Sequence, residues 1–187
     1  MCPVEAPDDE ELLERARGGD DRAFGILVGR YEGIVASTVV GMLGPGDDAE
    51  DVGQETFIRF HRSLDRFRGE SSVATYLTRI AINLSLTALK RRRRWVERFK
   101  ASVLVAEGVS DGSNPLHDRE RQQRIDRVRI AIDALSLQHR AIVVLRMIDG
   151  YSTREAAEIL NVPQGTVMSR LARAMGRLEW QLKETEE

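Results

Sequence analysis

The sequence predicts an all-α protein made of two small helical domains joined by a flexible linker. Apolar residues recur every three or four positions through most of the 187-residue chain, which is the spacing of amphipathic helices. This spacing weakens between residues 96 and 122, where glycine, serine and proline accumulate. We find no convincing strand and no internal repeat. We therefore expect one domain over residues 1–95, a linker over 96–122 that lets the halves move independently, and a second domain over 123–187.

The composition is typical of a globular protein with a hydrophobic core. Hydrophobic residues make up 42% of the chain and charged residues 31%. No apolar run approaches the roughly 18 residues needed to span a bilayer, and the first residues lack the pattern of a secretory signal. We therefore expect a cytoplasmic protein. The single cysteine, Cys2, has no partner for an internal disulfide, so we regard it as incidental.

Charge is segregated along the chain although the net charge is only −2. Residues 8–14 and 47–55 are acidic, whereas residues 90–94 form an unbroken basic run. Such asymmetry indicates two kinds of surface, one for a protein partner and one for phosphates.

The first domain is predicted to contain three long helices. The first begins at Asp21 and is stopped by glycine and proline at positions 44–46. A second begins near Asp47 with acidic residues in its first turn, where they suit the helix dipole, and ends near Gly69. After a loop over residues 69–72, a third begins near Val73 and continues into the basic run.

In the second domain, residues 153–175 satisfy several demands of a helix-turn-helix. Ser152 and Glu155 form a capping box, and small alanines at 156 and 157 allow a second helix to cross closely. Asn161 tolerates the left-handed turn, and Val167 anchors the second helix on the core. The residues left to face outward, as in a recognition helix, are Thr166, Met168, Ser169, Arg170 and Arg173. The alternative is an ordinary helical hairpin with a solvated arginine-rich face.

The basic run in the first domain has two interpretations. It contacts DNA phosphates, or it is a solvated helix end favoured by the helix dipole. The same helix is expected to expose groups able to hold or stack on an unpaired base, although Tyr76 alone fits a core position equally well. These candidates are Thr75, Tyr76, Asn83 and Thr87, followed by Lys90, Arg91, Arg92, Arg93 and Arg94.

An acidic helix face is predicted for the segment that follows Asp47. Asp48, Asp51 and Glu55 stand three and four positions apart and so share one face. Paired carboxylates hold metals in some nucleases, but the three histidines are scattered and no ligand pattern accompanies them. We expect a protein-docking or solvated face, and no metal, cofactor or catalytic residue.

Three stretches resemble the sigma-70 family of transcription initiation factors. Residues 48–57 resemble conserved region 2.2, and residues 76–83 with the basic run resemble regions 2.3 and 2.4. Residues 134–140, 152–160 and 165–170 resemble region 4. The stretches occur in the family's order and a short linker replaces region 3, as in the extracytoplasmic-function (ECF), or group 4, subfamily.

The resemblance implies roles for particular residues. Asp48, Asp51, Gln54 and Glu55 match the face that docks on the clamp helices of the polymerase's largest subunit. Asn83, with Ser72 and the rest of the 69–72 loop beside it, matches the site that captures a base flipped from the minus-ten element. Met168, Ser169, Arg170 and Arg173 match positions that read the minus-thirty-five element. Tyr76 and Thr87 depart from the tryptophan and aspartate usual in the family, which leaves the minus-ten sequence open.

The resemblance implies a factor that catalyses no reaction itself. Its expected partners are core RNA polymerase, promoter DNA as duplex and melted strand, and an anti-sigma factor that covers these surfaces. Two alternatives are a stand-alone helix-turn-helix regulator, which would need its own effector or dimerisation domain, and, more remotely, a metal-dependent nuclease.

Overall fold

The computed structural model describes residues 7–99 and 116–184, with side chains over 7–98 and 123–184. The described residues are almost entirely helical and include no strand, which confirms the predicted all-α class. We refer to residues 7–99 as the first module and to residues 116–184 as the second module. Cys2 lies outside the described residues.

The first module is a bundle of four helices. Two aspartates begin its first two helices: Asp8 accepts a hydrogen bond from the Glu11 amide at 2.8 Å, and Asp20 accepts one from the Ala23 amide at 3.1 Å. The short first helix was not predicted. The elements are α1 (Asp9–Arg17), α2 (Asp21–Leu43), α3 (Asp47–Ser63), a 3₁₀ turn (Leu64–Arg66) and α4 (Val73–Phe99).

The core of this bundle is centred on Phe60, which is fully buried. Its ring lies about 6 Å from the rings of Phe24, Phe67 and Tyr76, with centroid separations of 6.1, 6.1 and 6.0 Å. Aromatic rings at these distances contribute packing energy beyond the area that they bury. The core therefore fixes the start of α4, where Tyr76 lies, against α3 and the loop between them.

Helix α2 corrects one expectation, because its 23 residues are long and apolar enough to cross a membrane. Arg30 and Glu32 interrupt its apolar sequence and are exposed. Leu27, Val35 and Met42 on other faces are buried, and the helix packs against α1, α3 and α4. Its apolar composition is that of a helix at the centre of a bundle.

The second module contains four helices and one π-helical segment. Ser136 caps its second helix by accepting a hydrogen bond from the His139 amide. Gly150 follows the π-helical segment with a φ of 75°, as expected for a residue that ends a helix. The elements are α5 (Leu116–Asp133), α6 (Leu137–Val143), a π-helical segment (Val144–Ile148), α7 (Thr153–Leu160) and α8 (Gln164–Glu184).

Helices extend into both ends of the predicted linker. Helix α4 continues to Phe99 and helix α5 begins at Leu116, whereas the linker was predicted over residues 96–122. The segment between these helices, residues 100–115, lies outside the described residues. The positions of the domain boundaries stay a prediction.

The two modules pack against each other, a contact that the linker prediction did not foresee. Met42 and Ile82 of the first module share a buried apolar cluster with Ile142, Val144 and Leu145 of the second. We call this arrangement the closed arrangement. Burial of side chains of this size contributes on the order of 1.5–3 kcal/mol each, so the contact is more than incidental.

Hydrogen bonds also join the modules. The Asp149 carboxylate accepts bonds from the hydroxyls of Ser37 at 2.7 Å and Thr38 at 2.8 Å. The buried Arg140 guanidinium donates to the Met42 carbonyl at 2.8 Å, at the end of α2. Burial lowers the pKa of Arg140 from its ordinary value, while Asp133 opposes that shift. The interface thus combines an apolar centre with hydrogen bonds made by Asp149 and Arg140.

Candidate nucleic-acid interface

The turn between α7 and α8 has the geometry of a helix-turn-helix. Ser152 and Glu155 form the predicted capping box: the Ser152 hydroxyl accepts from the Glu155 amide at 3.2 Å, and the Glu155 carboxylate accepts from the Ser152 amide at 2.8 Å. Hydrogen bonds from the Ser152 side chain and backbone amide to the Glu155 carboxylate lower the pKa of Glu155. Asn161 ends α7 with a φ of 51°, in the left-handed region. Ala156 and Ala157 are buried where α8 crosses.

Helix α8 presents a polar and basic face opposite its buried side. Val167 is fully buried and anchors the helix, as predicted. Met168, Ser169 and Arg173 are exposed, whereas Thr166 and Arg170 are half-buried rather than fully outward. The exposed hydroxyl of Ser169 donates to the Thr166 carbonyl at 3.2 Å.

A positive field surrounds this face. Burial lowers the pKa of His139 on α6, and the charges of Arg170, Arg173 and Arg177 on α8 lower it further. These three arginines therefore lie together on one side of the second module. Arg177 was not predicted, although its position four residues after Arg173 places both on one face of a helix.

The basic run lies inside a helix rather than at its end. Helix α4 continues to Phe99, beyond the run, so the C-terminal dipole does not account for these cations. One of them, Arg93, forms an ion pair with Glu97 at 2.8 Å. The side chains of Lys90, Arg91, Arg92, Arg93 and Arg94 are all exposed. Five consecutive positions surround a helix, so only Lys90, Arg91 and Arg94 share a face with Thr87; this basic stripe suits a phosphate backbone.

Two of the residues expected to contact an unpaired base are not freely exposed. The expected exposure of Thr75 is wrong, because its side chain is buried and its hydroxyl is hydrogen-bonded to the Ser72 hydroxyl at 3.0 Å. The Ser72 hydroxyl also accepts a hydrogen bond from the Thr75 amide at 3.1 Å and thereby caps α4. Tyr76 is half-buried, with its ring 5.0 Å from that of Phe67, so the core interpretation accounts for much of its surface.

Asn83 and Thr87 are exposed on α4, as expected. The Thr87 hydroxyl donates to the Asn83 carbonyl at 2.8 Å and leaves the Asn83 side chain outward. Asn83 lies ten residues after Val73, or about 15 Å along the helix axis, so it is not immediately beside the 69–72 loop.

A cavity of about 490 Å³ adjoins that loop and is called here the loop pocket. The rings of Phe67 and Tyr76 line its apolar side. Its charged lining groups are Arg66, Arg68, Glu70, Arg79 and Glu158. Arg79 was not singled out from the sequence, although it stands one helical turn after Tyr76. Glu158 comes from the second module, so sequence spacing carried no signal of its presence here.

The acidic face lies on α3, well separated in sequence from the basic groups. Asp48, Asp51 and Gln54 are exposed, and Glu55 is half-buried beside Arg59, with which it forms an ion pair at 2.8 Å. Within the described ranges, no cluster of three histidine, cysteine, aspartate or glutamate side chains is placed to hold a metal.

Comparison with known proteins identifies the family of both modules. The family model "Sigma-70 region 2" matches residues 27–95, and "Sigma-70, region 4" matches residues 125–178. The ECF RNA polymerase sigma-E factor of Escherichia coli (strain K12) is 38% identical over 172 residues, covering 89% of this chain and 90% of the relative. The RNA polymerase sigma-H factor of Pseudomonas aeruginosa is 35% identical over 175 residues, covering 89% of each.

Solved structures agree with these matches. CnrH, in complex with the cytosolic domain of CnrY, has a TM-score of 0.67 at 27% identity and covers 94% of this chain and 97% of its own. The sigma factor RpoE of Bartonella quintana, in complex with the anti-sigma factor NepR, has a TM-score of 0.68 and covers 86% and 96%; at 23% identity it supports the fold alone.

The chain therefore belongs to the sigma-70 family. Within that family it is an RNA polymerase sigma factor of the ECF subfamily, a transcription initiation factor with DNA-binding domains. The stand-alone regulator and the nuclease are not favoured, since both family models match in the order expected of a sigma factor.

Proposed function

We propose that the chain binds core RNA polymerase through the acidic face of α3. Asp48, Asp51 and Gln54 are exposed there and Glu55 is half-exposed, so three carboxylates and an amide are available to a basic or polar partner. These residues lie on the opposite face of α3 from the buried Phe60, so they do not contribute to the core. Resemblance to region 2.2 supports this role.

Promoter recognition is divided between two surfaces. The minus-ten element is bound by Asn83, Thr87 and the basic run on α4, together with Ser72 and Tyr76 near the start of the same helix. The face of α8 takes the minus-thirty-five element in the major groove. On α8 the proposed readers are Thr166, Met168, Ser169, Arg170 and Arg173. Thr75 serves the loop through its bond to Ser72 and does not touch DNA.

Separating these tasks gives the factor its selectivity. Each surface is small and binds weakly, but attachment to one enzyme raises the effective concentration of both at a promoter. Phosphate contacts position the duplex, while extrusion of a base costs a few kcal/mol and is easiest where the DNA already melts readily. The factor needs no catalytic group of its own for these steps.

The proposed domains are residues 1–95 and 123–187, with a connecting segment over 96–122. This division is supported by the family matches, which end at residue 95 and resume at residue 125. The site of action is the cytoplasm, where the polymerase of the related factors works. Capture by an anti-sigma factor is the expected regulation, and it is supported by CnrH, whose solved structure is a complex with the cytosolic domain of CnrY.

The exposed helix-turn-helix arginines, together with the basic stripe on α4, are the observation that carries this proposal. The direct test is in vitro transcription with core polymerase, the purified chain and a library of promoters. We expect transcripts from a defined subset of promoters, sharing elements near minus ten and minus thirty-five. Failure to assemble with core polymerase, or tight binding to specific duplex sites without it, would refute the proposal.

A further inference from the structure

The basic run on α4 also has a face that points away from Thr87. Its members stand at positions i, i+3, i+4 and i+7 and therefore share one side of the helix: Leu89, Arg92, Arg93 and Val96. This face lines a cavity of about 550 Å³, called here the interface pocket. The opposite wall is formed by residues 133–140 of the second module, at the turn between α5 and α6.

The charges that line the interface pocket are not fully paired. Arg93 forms an ion pair with Glu97 at 2.8 Å, and Arg140 forms one with Asp133, also at 2.8 Å. The third guanidinium, that of Arg92, has no ion-pair partner among the residues that the structure describes. Three guanidinium groups therefore face two carboxylates, which leaves one net positive charge in the pocket.

Packing of the modules brings two of these cations together. Burial lowers the pKa of Arg140 on α6, Asp133 opposes that shift, and the charge of Arg92 on α4 lowers the pKa further. Arg92 and Arg140 thus repel each other across the interface. The Asp133 carboxylate is 49% exposed, so water screens the attraction that it can offer. An anion placed between the two cations would relieve their repulsion.

Arg140 is fixed in position before any ligand arrives. Its side chain is only 6% exposed, and its guanidinium donates hydrogen bonds to the carbonyls of Met42 and Asp133. Its Nε is buried and has no hydrogen-bond partner within the described ranges. A side chain that is already immobile loses little conformational freedom on binding, and such a cation is suited to hold an anion.

The dimensions of the interface pocket suit a small molecule. Its volume falls within the range of about 300–1,000 Å³ that is typical of ligand sites. Leu89, Leu135 and Leu137 supply apolar surface beside the charged groups. Guanidinium groups bind phosphate oxygens through paired hydrogen bonds, so the arginines favour phosphate over other anions.

We propose that the interface pocket binds the phosphate groups of a small molecule between Arg92 and Arg140, and that the bound molecule joins the two modules. This site goes beyond the proposed function and does not depend on it. Arg92 belongs to the first module and Arg140 to the second, so only the closed arrangement presents both. A ligand that binds one arrangement alone stabilises that arrangement by mass action.

Isothermal titration calorimetry of the full chain with inorganic pyrophosphate tests the site. We expect one pyrophosphate to bind each chain, and Arg92→Gln to weaken this binding about tenfold, the loss expected from one charge-assisted contact. The Arg92 side chain is exposed, so the variant keeps its core intact. Adenosine diphosphate is the second probe: tighter binding than that of pyrophosphate would assign the site to nucleotides, and equal binding to free oligophosphates.

Matched variants separate the pocket from the general attraction of a basic surface. Arg94→Gln removes an exposed guanidinium from the same run but from the face of Thr87, and Arg62→Gln removes one from α3. Both should bind pyrophosphate as the wild type does. The proposal is wrong if the wild-type chain does not bind pyrophosphate, or if either control weakens binding as much as Arg92→Gln. Loss of affinity for duplex DNA alone in Arg92→Gln would assign Arg92 to DNA instead.

The need for both modules is tested at Gly41 of α2, away from the pocket. An added Cβ there would lie 3.0 and 3.1 Å from the Val144 methyl groups, so Gly41→Ala should loosen the packing of the modules. We expect it to weaken pyrophosphate binding about fivefold, because part of the binding free energy then closes the modules. Gly33→Ala on the same helix, where an added Cβ meets nothing within 4 Å, is the control.

Small-angle X-ray scattering reports the arrangement in the same samples. Pyrophosphate should reduce the radius of gyration of Gly41→Ala towards that of the wild type. A Gly41→Ala chain that is open by this measure and still binds pyrophosphate as tightly as the wild type would overturn the inference.

Discussion

Asn161 shows how a single residue sets the angle between two helices. It is the one described residue other than glycine with a positive φ, and α8 begins three positions later. An asparagine side chain tolerates this conformation because it is short and forms local hydrogen bonds. The sequence predicted this role correctly, since asparagine followed a helical stretch with a capping box at its start.

We expect Asn161→Ala to lower the free energy of unfolding by about 1–2 kcal/mol, the cost of placing a Cβ-bearing residue in the left-handed region. Urea denaturation followed by circular dichroism measures the change. Asn161→Gly is the control, because glycine adopts this conformation without strain. Equal stability of the alanine and glycine variants would show that the turn is not strained by a side chain.

Asn83 offers an exposed amide on the face of α4 that leads into the basic run. If it holds a flipped base, Asn83→Ala should reduce open-complex formation about tenfold, the loss expected from one good base contact. Assembly with core polymerase should not change. Permanganate footprinting of the melted strand and gel filtration with core enzyme measure the two effects.

The comparison variant on the same surface is Thr87→Ala, whose hydroxyl is already bonded to the backbone within α4. It should have a smaller effect on opening. Normal open complexes formed by Asn83→Ala would contradict a role for its side chain in base capture.

At the scale of elements, local signals predicted some helices and missed others. Gly44, which follows α2 with a φ of 81°, and the capping box at Ser152 lie where the sequence predicted a stop and a start. Helix α1 was missed although Asp8 caps it and Leu12 and Leu13 are buried, because nine residues hold too few turns for a clear periodicity.

Other features have no local signal. The π-helical segment beginning at Val144 depends on tertiary packing of its buried residues rather than on a turn residue. Thr75 was expected to be exposed because polar residues usually are, but its hydroxyl is satisfied by Ser72 and can therefore be buried. Glu158 reaches the loop pocket only because the modules pack together.

Helix α3 allows a test of docking that spares the fold. Asp51 is exposed, and its replacement by arginine reverses a charge without disturbing the core around Phe60. We expect Asp51→Arg to weaken assembly with core polymerase at least tenfold at low salt, since like charges at an interface repel. Glu32→Arg on α2, also exposed, is the matched control. Gel filtration or titration with labelled core measures the difference.

If both substitutions weaken assembly equally, the loss of affinity is caused by the change in net charge and not by a specific contact. The acidic face would then have no specific role in docking.

At the scale of the whole molecule, closing buries a carboxyl group. Burial raises the pKa of Asp149 above its ordinary value of 3.8, although hydrogen bonds from Ser37 and Thr38 act in the opposite direction. Burial also raises the pKa of the neighbouring Tyr151. A carboxyl whose pKa is higher in the closed arrangement takes up a proton on closing, so closure is favoured as the pH falls.

We therefore expect energy transfer between dyes attached at Ile58→Cys and Trp180→Cys, two exposed positions on the two modules, in a Cys2→Ser background, to rise as the pH falls through a window that begins above 3.8. Asp149→Asn, which is neutral throughout, should remove that dependence and keep the modules closed. Asp65→Asn, an exposed carboxyl on the 3₁₀ turn, is the control and should leave the profile unchanged. A wild-type profile retained by Asp149→Asn would assign the pH dependence to another group.

The apolar cluster that both modules share also makes the stability of the closed arrangement depend on temperature. The hydrophobic effect drives the burial of Ile82, Ile142 and Leu145, and this effect weakens on cooling. A closed arrangement held mainly by such side chains becomes less stable on cooling, whereas one held by ion pairs would not. Chilling alone therefore favours separation of the modules, and calorimetry would record the event as a heat-capacity increase on opening.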